Sequence, residues 1–110
     1  ALRRLTRDHT LGAQLGPTAK GVEARALSHI LVNAIGGNTE APTPELAASP
    51  IERGDRVLLC SDGLHGPVDD ARIAATLTRA STPQGAVDAL IAEALAAGGP
   101  DNITAVVAFG

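Results

Sequence analysis

The chain has 110 residues, enough for one domain and too few for two, with a hydrophobic share of 45% and a net charge of −3. Residues 1–30 hold five basic and two acidic side chains and residues 31–110 hold four and ten, a balance that argues against DNA or RNA and is compatible with a divalent cation. One cysteine, Cys60, excludes an internal disulfide, and the single aromatic residue excludes a base-stacking platform.

Of the apolar residues 21 are Ala and 27 are Leu, Ile, Val or Phe, so the core is modest in volume. No signal peptide is visible, and no apolar run approaches the roughly 18 residues of a membrane span. A cytoplasmic protein with no membrane and no nucleic-acid partner is the expectation. Arg outnumbers Lys eight to one, which suggests a GC-rich, bacterial gene.

In chain order, residues 2–8 read as the tail of a strand that turns at Asp8 and His9. Leu11 and Leu15 fit a short helix closed by Gly16 and Pro17. One helical turn is placed near Val22 to Arg25. The apolar run Ile30 to Ile35, ended by Gly36 and Gly37, predicts a buried strand, and Pro42 to Pro50 an extended edge segment. Arg56 to Cys60 is a strand that stops at Ser61-Asp62-Gly63, where the glycine is expected to supply backbone angles other residues resist. Asp69 or Asp70 caps a helix carrying Ile73, Leu77 and Ala80 on one face. Thr82 and Pro83 open a second helix that buries Val87, Leu90, Ile91, Ala94 and Leu95 and ends at Gly98-Gly99. The turn Pro100-Asp101-Asn102 then leads into a strand from Ile103 to Phe109.

Two carboxylates stand at junctions of strand and turn. Hard cations such as Mg²⁺ and Mn²⁺ take oxygen ligands, often one or two carboxylates with water, and Asp62 and Asp101 could supply that minimum. Taken singly, each is more readily read as an aspartate capping its own turn. His9, His29 and His65 lack zinc-site spacing and read as surface or loop residues. Cys60 reads as a packed core thiol, and Ser61 lacks the surroundings of a nucleophile elbow.

The run Val57-Leu58-Leu59-Cys60-Ser61-Asp62-Gly63-Leu64, then a helix pair, then Gly99-Pro100-Asp101-Asn102-Ile103-Thr104-Ala105-Val106-Val107, resembles the last two motifs of the type 2C (PPM) metal-dependent protein serine/threonine phosphatases. Upstream, Leu5-Thr6-Arg7-Asp8-His9-Thr10, Ile30 to Gly37, and Gly54-Asp55 match in the same order. The resemblance covers nearly the whole chain and implies that residues 1–110 are the C-terminal part of the catalytic domain. The implied fold is α+β, a β-sandwich flanked by helices. The implied activity is hydrolysis of phosphoserine and phosphothreonine in a phosphorylated protein substrate, opposing a serine/threonine kinase, by a metal-activated water at two Mg²⁺ or Mn²⁺ ions. Asp62 and Asp101 are the implied metal ligands, with Asn102 and Gly63 supporting them; no residue here is implied to be catalytic, and substrate-binding residues are not implied. Residues 8–35 would correspond to a variable flap beside the cleft.

The family's N-terminal Asp-Gly motif, its phosphate-binding Arg and an early Glu have no counterpart in this chain, and Gly66 stands where many members carry a further Asp. The chain alone is therefore expected to hold metal weakly, to be inactive, and to expose apolar surface and strand edges that associate with the missing N-terminal half of the domain. Two alternatives are a non-catalytic phosphatase-like interaction module and a phosphatase directed at a regulator of bacterial stress signalling.

Overall fold

The computed structural model describes residues 2–16, 21, 26–36 and 41–110. The chain divides into two compact units, one made of residues 1–3 with 49–110 and the other of residues 4–48.

The larger unit is built on strands β1 (Arg56–Cys60) and β2 (Ala105–Phe109), paired antiparallel from Arg56 opposite Phe109 to Cys60 opposite Ala105. Between them lie a one-turn helix α2 (Asp62–His65) and the longer helices α3 (Asp70–Arg79) and α4 (Pro83–Ala96). Local chemistry sets the ends of both long helices. The Asp69 carboxylate accepts from the Arg72 amide at 2.8 Å, and the Thr82 hydroxyl accepts from the Gly85 amide at 3.0 Å, so each N-terminus has a side-chain cap. Gly98 and Gly99, both at positive φ, stop α4 and return their amides to the Leu95 and Ala94 carbonyls.

Side chains alternate along the strands, so one sheet face meets the helices. Leu58, Cys60, Ala105, Val107 and Phe109 pack there against a core of Leu64, Val68, Ile73, Leu77, Ala86, Leu90 and Ala94. Helix α4 enters the core through Ala86, Leu90 and Ala94, spaced at one helical turn, while Val87 and Ile91 are half-buried. Leu95, expected inside, is 60% exposed, because it lies off that stripe. The small alanines let α4 approach the sheet closely, which suits a composition short of large side chains.

Polar contacts bind these layers. The Arg56 guanidinium stacks on Phe109 with 4.2 Å from Cζ to the ring centroid, and its Nη1 donates to the carbonyls of Leu77 and Ala80 at the end of α3. It thus satisfies carbonyls that a helix terminus leaves without partners. The buried Thr76 hydroxyl donates to Glu93 at 2.5 Å, and Arg72 reaches the other Glu93 oxygen at 3.4 Å, so one carboxylate joins α3 to α4.

The smaller unit has little regular structure among its described residues. Helix α1 (Leu11–Leu15) forms as expected, with the Thr10 hydroxyl accepting from the Ala13 amide. Residues 2–8 form no strand. The anticipated buried strand at 30–35 reduces to one bridge between Thr10 and Leu31, and Leu31 and Ile35 are 66% and 93% exposed. An apolar run is buried only where a second layer covers it, and no described part of this unit supplies one. The 42–50 segment runs without strand pairing, as three prolines at 42, 44 and 50 remove amide donors. The turn expected at 22–25 lies outside the described residues. Among the described residues the sheet has two strands, β1 and β2, the only part of the expected sandwich to appear there. No described helix is long and apolar enough to cross a membrane.

Candidate metal centre

The antiparallel register fixes the relation between the two aspartate turns. Because Cys60 ends β1 opposite Ala105, which begins β2, the residues just after Cys60 and just before Ala105 emerge at the same end of the sheet. Ser61 then ties them together. Its amide donates to the Thr104 carbonyl at 3.0 Å, its Oγ accepts from the Thr104 amide at 3.0 Å, and its hydroxyl donates to the Asn102 carbonyl at 3.2 Å. The sequence offered no signal for this cross-link beyond a hydroxyl residue beside Asp62, and Ser61 is the structural residue that motif reading passed over.

Gly63 completes the junction in a way the sequence reading did not anticipate. It is the second residue of α2 and is absent from the positive-φ glycines, so unusual backbone angles are not the reason for it. The reason is space: a Cβ on Gly63 would lie 2.0 Å from the Asn102 carbonyl oxygen and 2.8 Å from its carbon. Only a residue without a side chain lets the turn carrying Asp101 press against the start of α2. Asp62 therefore does not end a strand in an open turn; it is the first residue of a helix whose second residue is the contact point.

Both carboxylates face solvent. Asp101 Oδ1 accepts from the Asn102 amide at 2.7 Å, a turn-capping bond that commits one of its two oxygens. Asn102 takes part through its main chain, with its amide on Asp101 and its carbonyl against Ser61 and Gly63. His65, expected at the surface or in a loop, is the last residue of α2 and is half-buried. Among the described residues no group of three or more His, Cys, Asp or Glu side chains converges. Asp62 and Asp101 would offer carboxylate oxygen alone, which suits a hard ion and not zinc or copper, and such an ion often uses one or two carboxylates with water. Cys60 is half-buried and packs against the core, as a structural thiol does.

No protein-family model matches the chain. Over 111 residues and 97% of its length it is 38% identical to the serine/threonine protein phosphatase PstP of Mycobacterium tuberculosis, covering 21% of that protein. The solved serine/threonine phosphatase of S. agalactiae superposes with a TM-score of 0.81 at 33% identity, over 96% of this chain and 46% of that one. Over nearly its whole length the chain is thus similar to part of the type 2C (PPM) serine/threonine phosphatases. The PstP catalytic domain, solved in complex with two manganese ions, superposes with a TM-score of 0.73 at 38% identity over 94% of this chain and 43% of that one. This chain therefore carries an α+β portion of the PPM phosphatase fold, spanning under half of the solved relatives and about a fifth of PstP.

Proposed function

We propose that the chain is the C-terminal part of the catalytic domain of a metal-dependent protein serine/threonine phosphatase, and that Asp62 and Asp101 hold a Mg²⁺ or Mn²⁺ ion there. The observation that carries this reading is the junction of Ser61, Gly63, Asn102 and Thr104, which brings together two acidic turns far apart in the chain. When bound, a pair of such ions lowers the pKa of water and neutralises phosphoryl charge. The residues of this chain supply negative charge at a rigid sheet end, and the Ser61 cross-links keep the two carboxylates from drifting apart. Gly63 and Asn102 support the site by contact between main chains. The substrates are phosphoserine and phosphothreonine proteins, the opposing enzyme is a serine/threonine kinase, and the setting is the cytoplasm. Residues outside this chain complete the ligand set and the phosphate pocket, so the 110-residue chain alone binds metal weakly.

A second reading, that both aspartates only cap turns, has the Asp101 bond to the Asn102 amide in its favour. One experiment separates the two. Manganese titration of the full-length protein by calorimetry is compared for the wild type, Asp62→Asn and Asp101→Asn, with phosphopeptide turnover measured alongside. Loss of a ligand should weaken Mn²⁺ affinity by at least about tenfold, the lower bound known for the outer-shell partners of metal ligands. Equal affinity in all three proteins removes the ligand assignment.

A further inference from the structure

The unit of residues 4–48 contains a polar cavity of about 380 Å³, with His9, Asn33, Thr43 and Glu45 in its wall. The Asn33 side chain meets the Thr43 main chain at two points: Oδ1 accepts from the Thr43 amide at 3.0 Å, and Nδ2 donates to the Thr43 carbonyl at 2.5 Å. A terminal amide is ambiguous in orientation unless its partners decide it, and here they do, because turning it over would set donor against donor and acceptor against acceptor. The same Nδ2 lies 2.7 Å from His9 Nδ1. Nδ2 can only donate, so Nδ1 must accept, and the neutral ring then carries its hydrogen on Nε2. That nitrogen faces Glu45 Oε2 at 3.6 Å, and Oε2 also accepts from the Arg7 amide at 3.0 Å.

We propose that His9 is a protonation-sensitive latch on the 41–45 segment, holding it while the ring is neutral and releasing Thr43 when the ring takes a proton. In the imidazolium both nitrogens are donors, so Nδ1–H and the Asn33 Nδ2–H oppose each other. The conflict is relieved when the Asn33 amide turns over and offers Oδ1 to the charged ring, a stronger charge-assisted bond. The same rotation breaks both bonds to Thr43, whose exposed main chain passes to water. Among the described residues Glu45 is the titratable group that shares the cavity wall with His9. Arg7 meets Glu45 through its amide and turns its guanidinium to the Ala13 carbonyl, and Asp8 adjoins His9 in the chain. Protonation strengthens the pairing of His9 with Glu45, so the ring stays in place while Asn33 turns. The segment is thus held while the ring is neutral and freed on acidification. This device stands independently of the metal-site reading.

The test uses the full chain labelled with ¹⁵N-histidine and ¹⁵N-threonine. At pH 8 the His9 ring should be the Nε2–H tautomer. On acidification to pH 5, exchange of the Thr43 amide with water, corrected for its intrinsic rate, should accelerate by about tenfold or more as the local hydrogen bond opens. His9→Asn keeps an acceptor near the Nδ1 position and cannot be protonated, so its Thr43 amide should show no such acceleration. An Nδ1–H tautomer in the wild type at pH 8, a Thr43 amide unresponsive to pH in the wild type, or an equal response in His9→Asn would each overturn the latch.

Discussion

Gly63→Ala tests the packing on which the candidate centre depends, because two physical effects predict opposite signs for it. Gly63 sits in a helical segment without positive φ, and in an unobstructed helix replacing Gly by Ala stabilises by about 1 kcal/mol. Here the added Cβ would start 2.0 Å from the Asn102 carbonyl oxygen, and real Cβ contacts essentially never fall under 3.0 Å, so the two turns must separate by at least 3.0 − 2.0 = 1.0 Å. The obstacle is main chain held by Ser61, not a side chain free to rotate away. Overpacking of this kind costs about 1–3 kcal/mol, and the fixed obstacle places it at the upper end, leaving about 2 kcal/mol net after the helix gain. At about 2 °C or more per kcal/mol, the midpoint of thermal unfolding should fall by at least about 4 °C. The same separation moves Asp62 away from Asp101, so Mn²⁺ affinity measured by calorimetry should fall as well. A variant with an unchanged or raised midpoint and wild-type Mn²⁺ affinity would refute the interlock.

Two further substitutions probe the layers behind the site. Arg56→Lys keeps the charge but loses the planar group that stacks on Phe109 while donating to the Leu77 and Ala80 carbonyls; a loss of about 1–2 kcal/mol is expected in denaturant unfolding, and no change would show that the stacking and capping contribute nothing. Thr76→Val removes the hydroxyl bound to Glu93 at nearly constant volume and should cost about 1–2 kcal/mol; a double-mutant cycle with Glu93→Gln should show coupling, and strict additivity would deny the link between α3 and α4.

The elements that were legible in the sequence are those whose causes are local. Asp69, Thr82 and Pro83 start the two long helices, Gly98 and Gly99 end the second, and the aliphatic run before Ser61 makes a strand, each from residues within a few positions of one another. The same local logic misread Ile30 to Ile35, because an apolar run says what could be buried and not whether anything covers it. It placed Leu95 inside by periodicity, although the small residues Ala86 and Ala94 mark the stripe that meets the sheet.

The sequence by itself determined the ends of the two long helices, strand β1, strand β2 apart from an expected start two residues early at Ile103, and the identity of two acidic turns. Only the tertiary structure decided that these turns meet: the pairing of Cys60 with Ala105, the three bonds of Ser61 and the missing side chain of Gly63 join residues forty or so positions apart. Capping and periodicity act over one or two turns of chain and can be read along it. Register and close approach are relations between distant segments, and they take a value only when both segments are in place.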